Sequence, residues 1–395
     1  MKKILLLSGI CFLLNAVKKS DLNFTFTNPT SYTVSTLPSV LTSGAADVAV
    51  QPDGKFIVAT LKNFKCIGAR ITLKRYNTDG SLDASFGTDG TATQLIGERA
   101  GALDLILQDD GKILAGGYTI TDNISSFLIA RFNTDGSLDI TFNAAGTPGY
   151  RTMLTEFSAT ANDAMLWKMA LQSDGKIVTT GYYRTSDSAY NHIAIVRHNA
   201  DGTIDTTFGT AETPDGIARI SEPTNSVMAT DMVILDNDTI VLGGFIEYPA
   251  TRREFYLIKL TQNGIIDTTF GDGQSNTRTG KQKNCISGQA DELWALATQT
   301  DGKIIGIGSS NGTTCLVGRV TLIRYLTNGS IDTDFGSHGI IISNLPTSSI
   351  SLVVKSSLNK KIVVGCLASK ADFYAKRLIQ YTTVNPQQLL NVYVE

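Results

Sequence analysis

Several groups of residues in this chain have types and spacings that could do chemistry. In "NTDGSLD", residues 77–83, Asn77, Asp79, Ser81 and Asp83 offer oxygens at alternate positions, as a calcium loop begins. Such a loop carries its glycine at the sixth position and a bidentate glutamate at the twelfth. Here the glycine comes fourth and no glutamate follows, so the stretch reads as an Asx turn whose aspartate caps its own backbone. No cofactor is expected, calcium being the one that these letters suggest.

A base stands eight residues ahead of an acid in five places: Arg75 and Asp83, Arg131 and Asp139, Arg197 and Asp205, Lys259 and Asp267, Arg324 and Asp332. A row of bases could draw an anion into a channel. A regular acid partner makes structural pairing the better reading. The three histidines, His192, His198 and His338, share no motif, and His198 occupies the slot that Tyr76, Phe132 and Tyr325 fill elsewhere, which assigns it to packing. No Cys or His spacing has a zinc-site form, and no phosphate-cradling "GxxxxGK[ST]" occurs. "GSSNG" at 308 has the letters of a nucleophile elbow, but a strand-like run follows it where that elbow needs a helix, so a hairpin turn is expected.

Stepping along the chain shows what must hold these residues. "RYNTDGSLDASFG" returns in altered form, with the phenylalanines at 86, 142, 208, 270 and 335. A second phrase precedes it in each unit: "QPDGK" at 51, "QDDGK" at 108, "QSDGK" at 172 and "QTDGK" at 299, with degenerate copies "DNDT" and "LNKK" in the fourth and sixth units. Between these turns lie short runs rich in Ile, Leu, Val and aromatics, such as "TATQLI", "LDLIL", "KILAGG" and "FLIARFN". Strands of 5 to 7 residues joined by hairpins fit them. The expected fold is all-β, a six-bladed β-propeller of four-stranded antiparallel blades, with a seven-bladed ring as the alternative. A linear β-solenoid would have shorter repeats.

The ends suggest how the ring closes. Residues 22–26, "LNFTF", match the end of the turn phrase, and the carboxyl end supplies three strands of a sixth blade. An amino-terminal strand docked there would leave no long open edge. By alignment the sixth base–acid pair is Gln380 and Asn23, both neutral, as closure across the termini predicts.

The two phrases in fixed order resemble the delta-60 repeat of bacterial surface and secreted proteins. That resemblance implies a β-propeller module and no catalytic motif.

Lys and Arg number 34 against 36 Asp and Glu, a net charge of −2 that argues against nucleic acid as partner. "MKKILLLSGICFLLNA" has the pattern of a secretory signal over residues 1–16, leaving one propeller domain over 17–395, secreted, periplasmic or at the cell surface, with no membrane insertion. Cys66, Cys285, Cys315 and Cys366 remain beyond it; pairs Cys66–Cys366 and Cys285–Cys315 are one arrangement and four buried thiols the other.

The "PDGK" and "DGSLD" turns fall on one face of such a fold, and the variable connections on the opposite one. Recognition is usually built on variable connections, where Tyr182, Tyr183, Arg184, Tyr248, Arg252 and Arg253 are the candidates. The function expected is a non-catalytic scaffold that binds a protein or glycan. The alternatives are a metal-dependent hydrolase or lyase at the central channel and a purely structural surface module.

Overall fold

The alternation of short apolar runs and glycine turns produces antiparallel meanders. The computed structural model describes residues 44–61, 68–209, 215–249, 252–273, 278–312, 318–347, 349–356, 361–367 and 376–382. The first sheet is β1 (Gly44–Val50), β2 (Phe56–Leu61), β3 (Ile71–Tyr76) and β4 (Thr91–Gln94). The second is β5 (Arg99–Leu107), β6 (Ile113–Thr121), β7 (Ile124–Phe132) and β8 (Tyr150–Met153). The third is β9 (Ala161–Leu171), β10 (Ile177–Thr185), β11 (Asn191–His198) and β12 (Ile217–Ile220). Next come β13 (Ser226–Ile234), β14 (Ile240–Glu247), β15 (Arg253–Leu260) and β16 (Lys281–Asn284), then β17 (Ala290–Thr298), β18 (Ile304–Gly312), β19 (Gly318–Tyr325) and β20 (Ile340–Thr347). One parallel bridge, Arg253 to Ala290, joins these two sets. Last among the described residues is a three-stranded sheet of β21 (Ser349–Ser356), β22 (Lys361–Leu367) and β23 (Lys376–Thr382).

Two expectations shift by a strand. The first four residues of "TATQLI", grouped with the runs that follow it, form β4 and close the preceding sheet. "GSSNG", expected as a hairpin turn, lies within β18, because that strand keeps its ladder with β19 as far as Ser310. Ser310 is buried there, 2.5 Å from the Thr321 hydroxyl, and is no exposed nucleophile.

The first strands of successive sheets lie against one another, β1 on β5, β5 on β9, β9 on β13 and β13 on β17, and make a shared inner edge. Apolar side chains fill the spaces between sheets: Ile57, Leu73, Phe86, Ile113 and Leu128 between the first two, Phe127, Phe142, Leu166 and Ile177 between the next. The second, third and fourth sheets bury both faces on their neighbours, as repeat units that depend on adjacent units do.

Each inner strand of the second to fifth sheets carries a β-bulge opposite a glycine of its partner. Ladder partners skip a residue at Leu103, Trp167, Thr230 and Trp294. A Cβ added at Gly181 would stand 2.0 Å from the Met165 carbonyl oxygen, and one at Gly308 1.9 Å from that of Glu292. The repeated "GG" and "TG" of the sequence therefore admit the bulge.

The turn phrase is the joint between sheets. Phe142 is fully buried under the glycine of the next phrase, where a Cβ on Gly202 would meet its ring at 2.6 Å; Gly202 also has φ +87°. Gly202→Ala thus combines a disfavoured backbone with a clash and is expected to cost about 1–3 kcal/mol. Urea unfolding measures it; an unchanged midpoint would remove the joint from the account.

Candidate functional site

The five base–acid pairs lie inside this joint. Nε of Arg75, Arg131, Arg197 and Arg324 stands 2.7–2.8 Å from its aspartate, and Lys259 Nζ 3.1 Å from Asp267. Arg131 also covers the Phe142 ring at 4.8 Å and donates to the Ala200 carbonyl of the next phrase at 2.6 Å. Sequence reasoning missed the third member. The lysine of "DGK" reaches the same acid: Lys55 to Asp83 at 2.8 Å, Lys112 to Asp139 at 2.9 Å, Lys176 to Asp205 at 3.5 Å and Lys303 to Asp332 at 2.8 Å. The two phrases recur together because their charges meet. Hydrogen bonds from Lys55 and Ser85 hold the Asp83 carboxyl well below the usual carboxylate range. Asn23 lies outside the described residues, and Gln380 is described only as part of β23.

The calcium-like letters are used locally. The Ser81 amide and hydroxyl donate to Asp79 Oδ1 at 2.9 and 2.7 Å, and Asn77 donates to the Ser81 hydroxyl at 3.0 Å. Among the described residues no three His, Cys, Asp or Glu are grouped to hold a metal.

The recognition candidates fall into two sets. Tyr182, Tyr183 and Arg184 are on β10 itself, not in a loop, because the strand runs on to Thr185. Tyr183 is buried against Phe157 and His192, so it is corrected from contact residue to core. Tyr182 donates to Asp163 at 3.2 Å and Arg184 binds Asn191 at 3.1 Å. In the fourth sheet Tyr248 donates to Glu254 at 3.1 Å, Arg252 pairs with the same Glu254, and Arg253 pairs with Glu247 and Glu292. Arg184 and Arg252 keep about half of their side chains exposed, at 47% and 51%. Cys285 is a free, exposed thiol just after β16, so it makes no disulfide with Cys315 and is not a buried one. Cys66 and Cys315 lie outside the described residues.

His198 and His192 are not placed for proton transfer. Burial lowers His198 to about 3, and burial also lowers His192, whose ring packs at a tilt on Tyr183 at 5.1 Å.

A different set converges at the inner edge. Asp47 on β1, Asp104 on β5, Lys168 on β9 and Asp231 on β13 hold equivalent places, each six residues before the Asp or Asn of its "DG" turn. Ala295 is the fifth of the column. Each acid reaches the next inner strand: Leu105 N–H donates to Asp47 at 2.6 Å, Met169 N–H to Asp104 at 2.8 Å and Leu296 N–H to Asp231 at 2.7 Å. Lys168 Nζ donates to Asp104 at 2.6 Å. Asp47 and Asp104 are buried, while Asp231 and Lys168 stay partly exposed.

Burial alone would lower Lys168, but Asp104, Asp231 and Asp47 outweigh it and hold the ammonium charged. Burial raises Asp231 to about 6, against the opposing pull of Lys168 and two backbone N–H groups. Burial and then Asp104 raise Asp47 well above its ordinary range. A carboxyl raised in the folded state binds its proton more tightly there than in the unfolded chain. The stability tied to Asp231 therefore falls as pH rises from about 4 to about 6, by roughly 3 kcal/mol, and then levels. Measured against Asp231→Asn, the wild-type advantage should shrink across that window. Parallel stability curves would contradict the raised acid.

Four stretches, residues 51–86, 108–142, 172–208 and 299–335, match the family described as "Domain of unknown function (DUF5122) beta-propeller". Each runs from the glutamine before the first turn to the buried phenylalanine of the second. These are β-propeller repeats. No curated protein matches the chain. Among solved structures the propeller is similar to the polysaccharide lyase Uly1, at 11% identity and a TM-score of 0.45 over 86% of this chain and 77% of that one. It is similar to the Penicillium chrysogenum alpha-L-arabinanase complexed with arabinobiose, at 11% and 0.48 over 85% and 92%. A third is the GH93 alpha-L-arabinofuranosidase of Fusarium graminearum, at 8% and 0.41 over 81% and 86%. The non-catalytic scaffold expected above is not what these comparisons return: the proteins similar in fold are a polysaccharide lyase, an arabinanase and an arabinofuranosidase. In the described residues no helix is long and apolar enough to cross a membrane.

Proposed function

We propose that this protein is a glycan-processing enzyme whose proton transfers occur at the inner edge, with Asp231 as the acid and Lys168 and Asp104 setting its charge environment. The observation that carries the reading is a partly exposed carboxyl, raised to about 6 by burial, beside an ammonium that is paired with the buried Asp104 carboxylate. Carboxyl groups whose environments push their proton affinities apart mark acid–base assignments. Cleavage of a glycosidic C–O bond suits such a set, because the leaving oxygen needs a proton near neutral pH. Tyr182 and Arg184 near the end of β10, with Tyr248 and Arg252 in the connection between β14 and β15, supply hydroxyls and cations for sugar hydroxyls and acid groups. The test is release of reducing or unsaturated ends from neutral and uronate polysaccharides by wild type and Asp231→Asn. No release by the wild type overturns the reading.

We also read the repeats as delta-60 repeats closed into six blades and exported ahead of residue 17. The three four-stranded sheets, the two four-stranded sets within β13–β20 and the three strands β21–β23 support the blade count. In the other units the acid's N–H binds the base's carbonyl at 2.8–2.9 Å and their side chains meet, so ring closure would bring positions 23 and 380 into the same contact. Asn23→Cys with Gln380→Cys should therefore yield an oxidised cross-linked peptide by mass spectrometry. Its absence would contradict closure.

A further inference from the structure

The chain has two tryptophans, and both occupy the bulge of an inner strand. Trp167 is skipped between the pairs Leu166–Gly181 and Lys168–Thr180, and Trp294 between Leu293–Gly308 and Ala295–Ile307. Each immediately precedes a member of the column that holds Asp104, Lys168 and Asp231. The second and fourth sheets carry Leu103 and Thr230 in the same bulge, so the aromatic residues alternate along the inner edge. Neither indole is fully buried. Trp294 meets Phe245 edge-on at 5.7 Å, which fixes the ring and leaves it part-exposed. The indole nitrogen of Trp167 is enclosed yet has no hydrogen-bond partner.

A buried indole N–H normally finds an acceptor, and one without a partner calls for an explanation. A bulge re-aims its side chain away from the regular ladder, and such bulges concentrate beside active sites. A rigid aromatic face loses little conformational entropy when covered and offers a large apolar area to the C–H face of a sugar ring.

We propose that Trp167 and Trp294 are the sugar-stacking platforms of the inner edge, holding an oligosaccharide across Asp231 and Lys168. This rests on the glycan-processing reading and names the residues that position its substrate. They are positioning residues, not proton-transfer groups.

Because these are the only two tryptophans in the sequence, intrinsic emission reports the site directly. The experiment titrates the full chain with xylose, galactose and galacturonate hexasaccharides, and follows emission and turnover together. At least one hexasaccharide should shift the emission. Trp167→Ala should weaken binding or raise KM roughly tenfold or more, about 1.4 kcal/mol, with kcat less affected. Trp167→Phe, which keeps a stacking face but not the N–H, should recover part of that loss and controls for folding. Turnover without any emission change, with KM unchanged in Trp167→Ala, would overturn the platforms and leave the enzyme reading standing. An emission change without turnover would keep the platforms and remove the enzyme reading. Neither response would remove both.

Discussion

Replacing Asp231 with Asn should lower turnover by roughly 10²–10⁴-fold, the range that one positioned acid or base contributes. Asn keeps the size of the side chain and one oxygen for the Leu296 N–H, which lies 2.7 Å from the native carboxylate. What it loses is a proton that can be given up. Because the acid must be protonated to act, wild-type turnover should fall as pH rises through about 6, the value to which burial brings Asp231. That alkaline limb should be missing from the residual activity of Asp231→Asn. Thermal unfolding near neutral pH, where the raised carboxyl adds little stability, should separate this loss from unfolding. An Asp231→Asn protein that turns over at the wild-type rate would take Asp231 out of the chemistry.

Lys168→Met should lower stability by about 3–5 kcal/mol, the cost of removing one partner from a buried ion pair. Lys168 is the one cation in the inner column, with its ammonium 2.6 Å from Asp104 and its charge sustained by Asp104, Asp231 and Asp47. Methionine fills similar space but leaves Asp104, which is 1% exposed, without its cation. Adding Asp104→Asn in the same chain should restore part of the loss, because an amide needs no counter-charge. The double variant keeps an acceptor for the Met169 N–H, which donates to Asp104 at 2.8 Å in the native protein. Urea denaturation of wild type, both single variants and the double variant gives the coupling directly. A loss below about 1 kcal/mol for Lys168→Met would mean that the column is solvated rather than enclosed.

The joint between sheets was legible because each unit spells it in contiguous letters. The eight-residue spacing of Arg131 and Asp139 folds the turn phrase back on the end of β7, where Phe132 bridges Leu138, and Phe142 follows three residues later. Lys112 belongs to the other phrase, and its link to Asp139 joins the two phrases across an entire hairpin. The inner column was harder still. Asp104 and the Met169 N–H are 65 residues apart, and Asp47, Asp104, Lys168 and Asp231 come together only when units are aligned on "DG". Their signal was present as a constant six-residue offset. It was hidden because "ADVAV" and "ALDLIL" read as ordinary strands with one polar residue each.

Tyr183 shows the opposite error, in which a residue type favoured at interfaces stood for a location. A tyrosine in a variable stretch is as ready to fill the space beside Phe157 as to meet a partner, and strand length decides between them. Extension of β10 to Thr185 turns Tyr183 into the core and leaves Arg184 facing outward. Cys285, paired with Cys315 in one of the arrangements expected, follows β16 at the edge of the fourth sheet, where its thiol stays free.

The central claim is that the inner-edge acid cleaves glycans. Purified full-length protein is incubated with a panel of neutral and uronate polysaccharides near pH 5.5, beside Asp231→Asn at equal concentration, and new chain ends are counted over time. Steady release by the wild type, with at least a hundredfold less from Asp231→Asn, is the predicted result. No release from any polysaccharide, or equal release by both proteins, would contradict it.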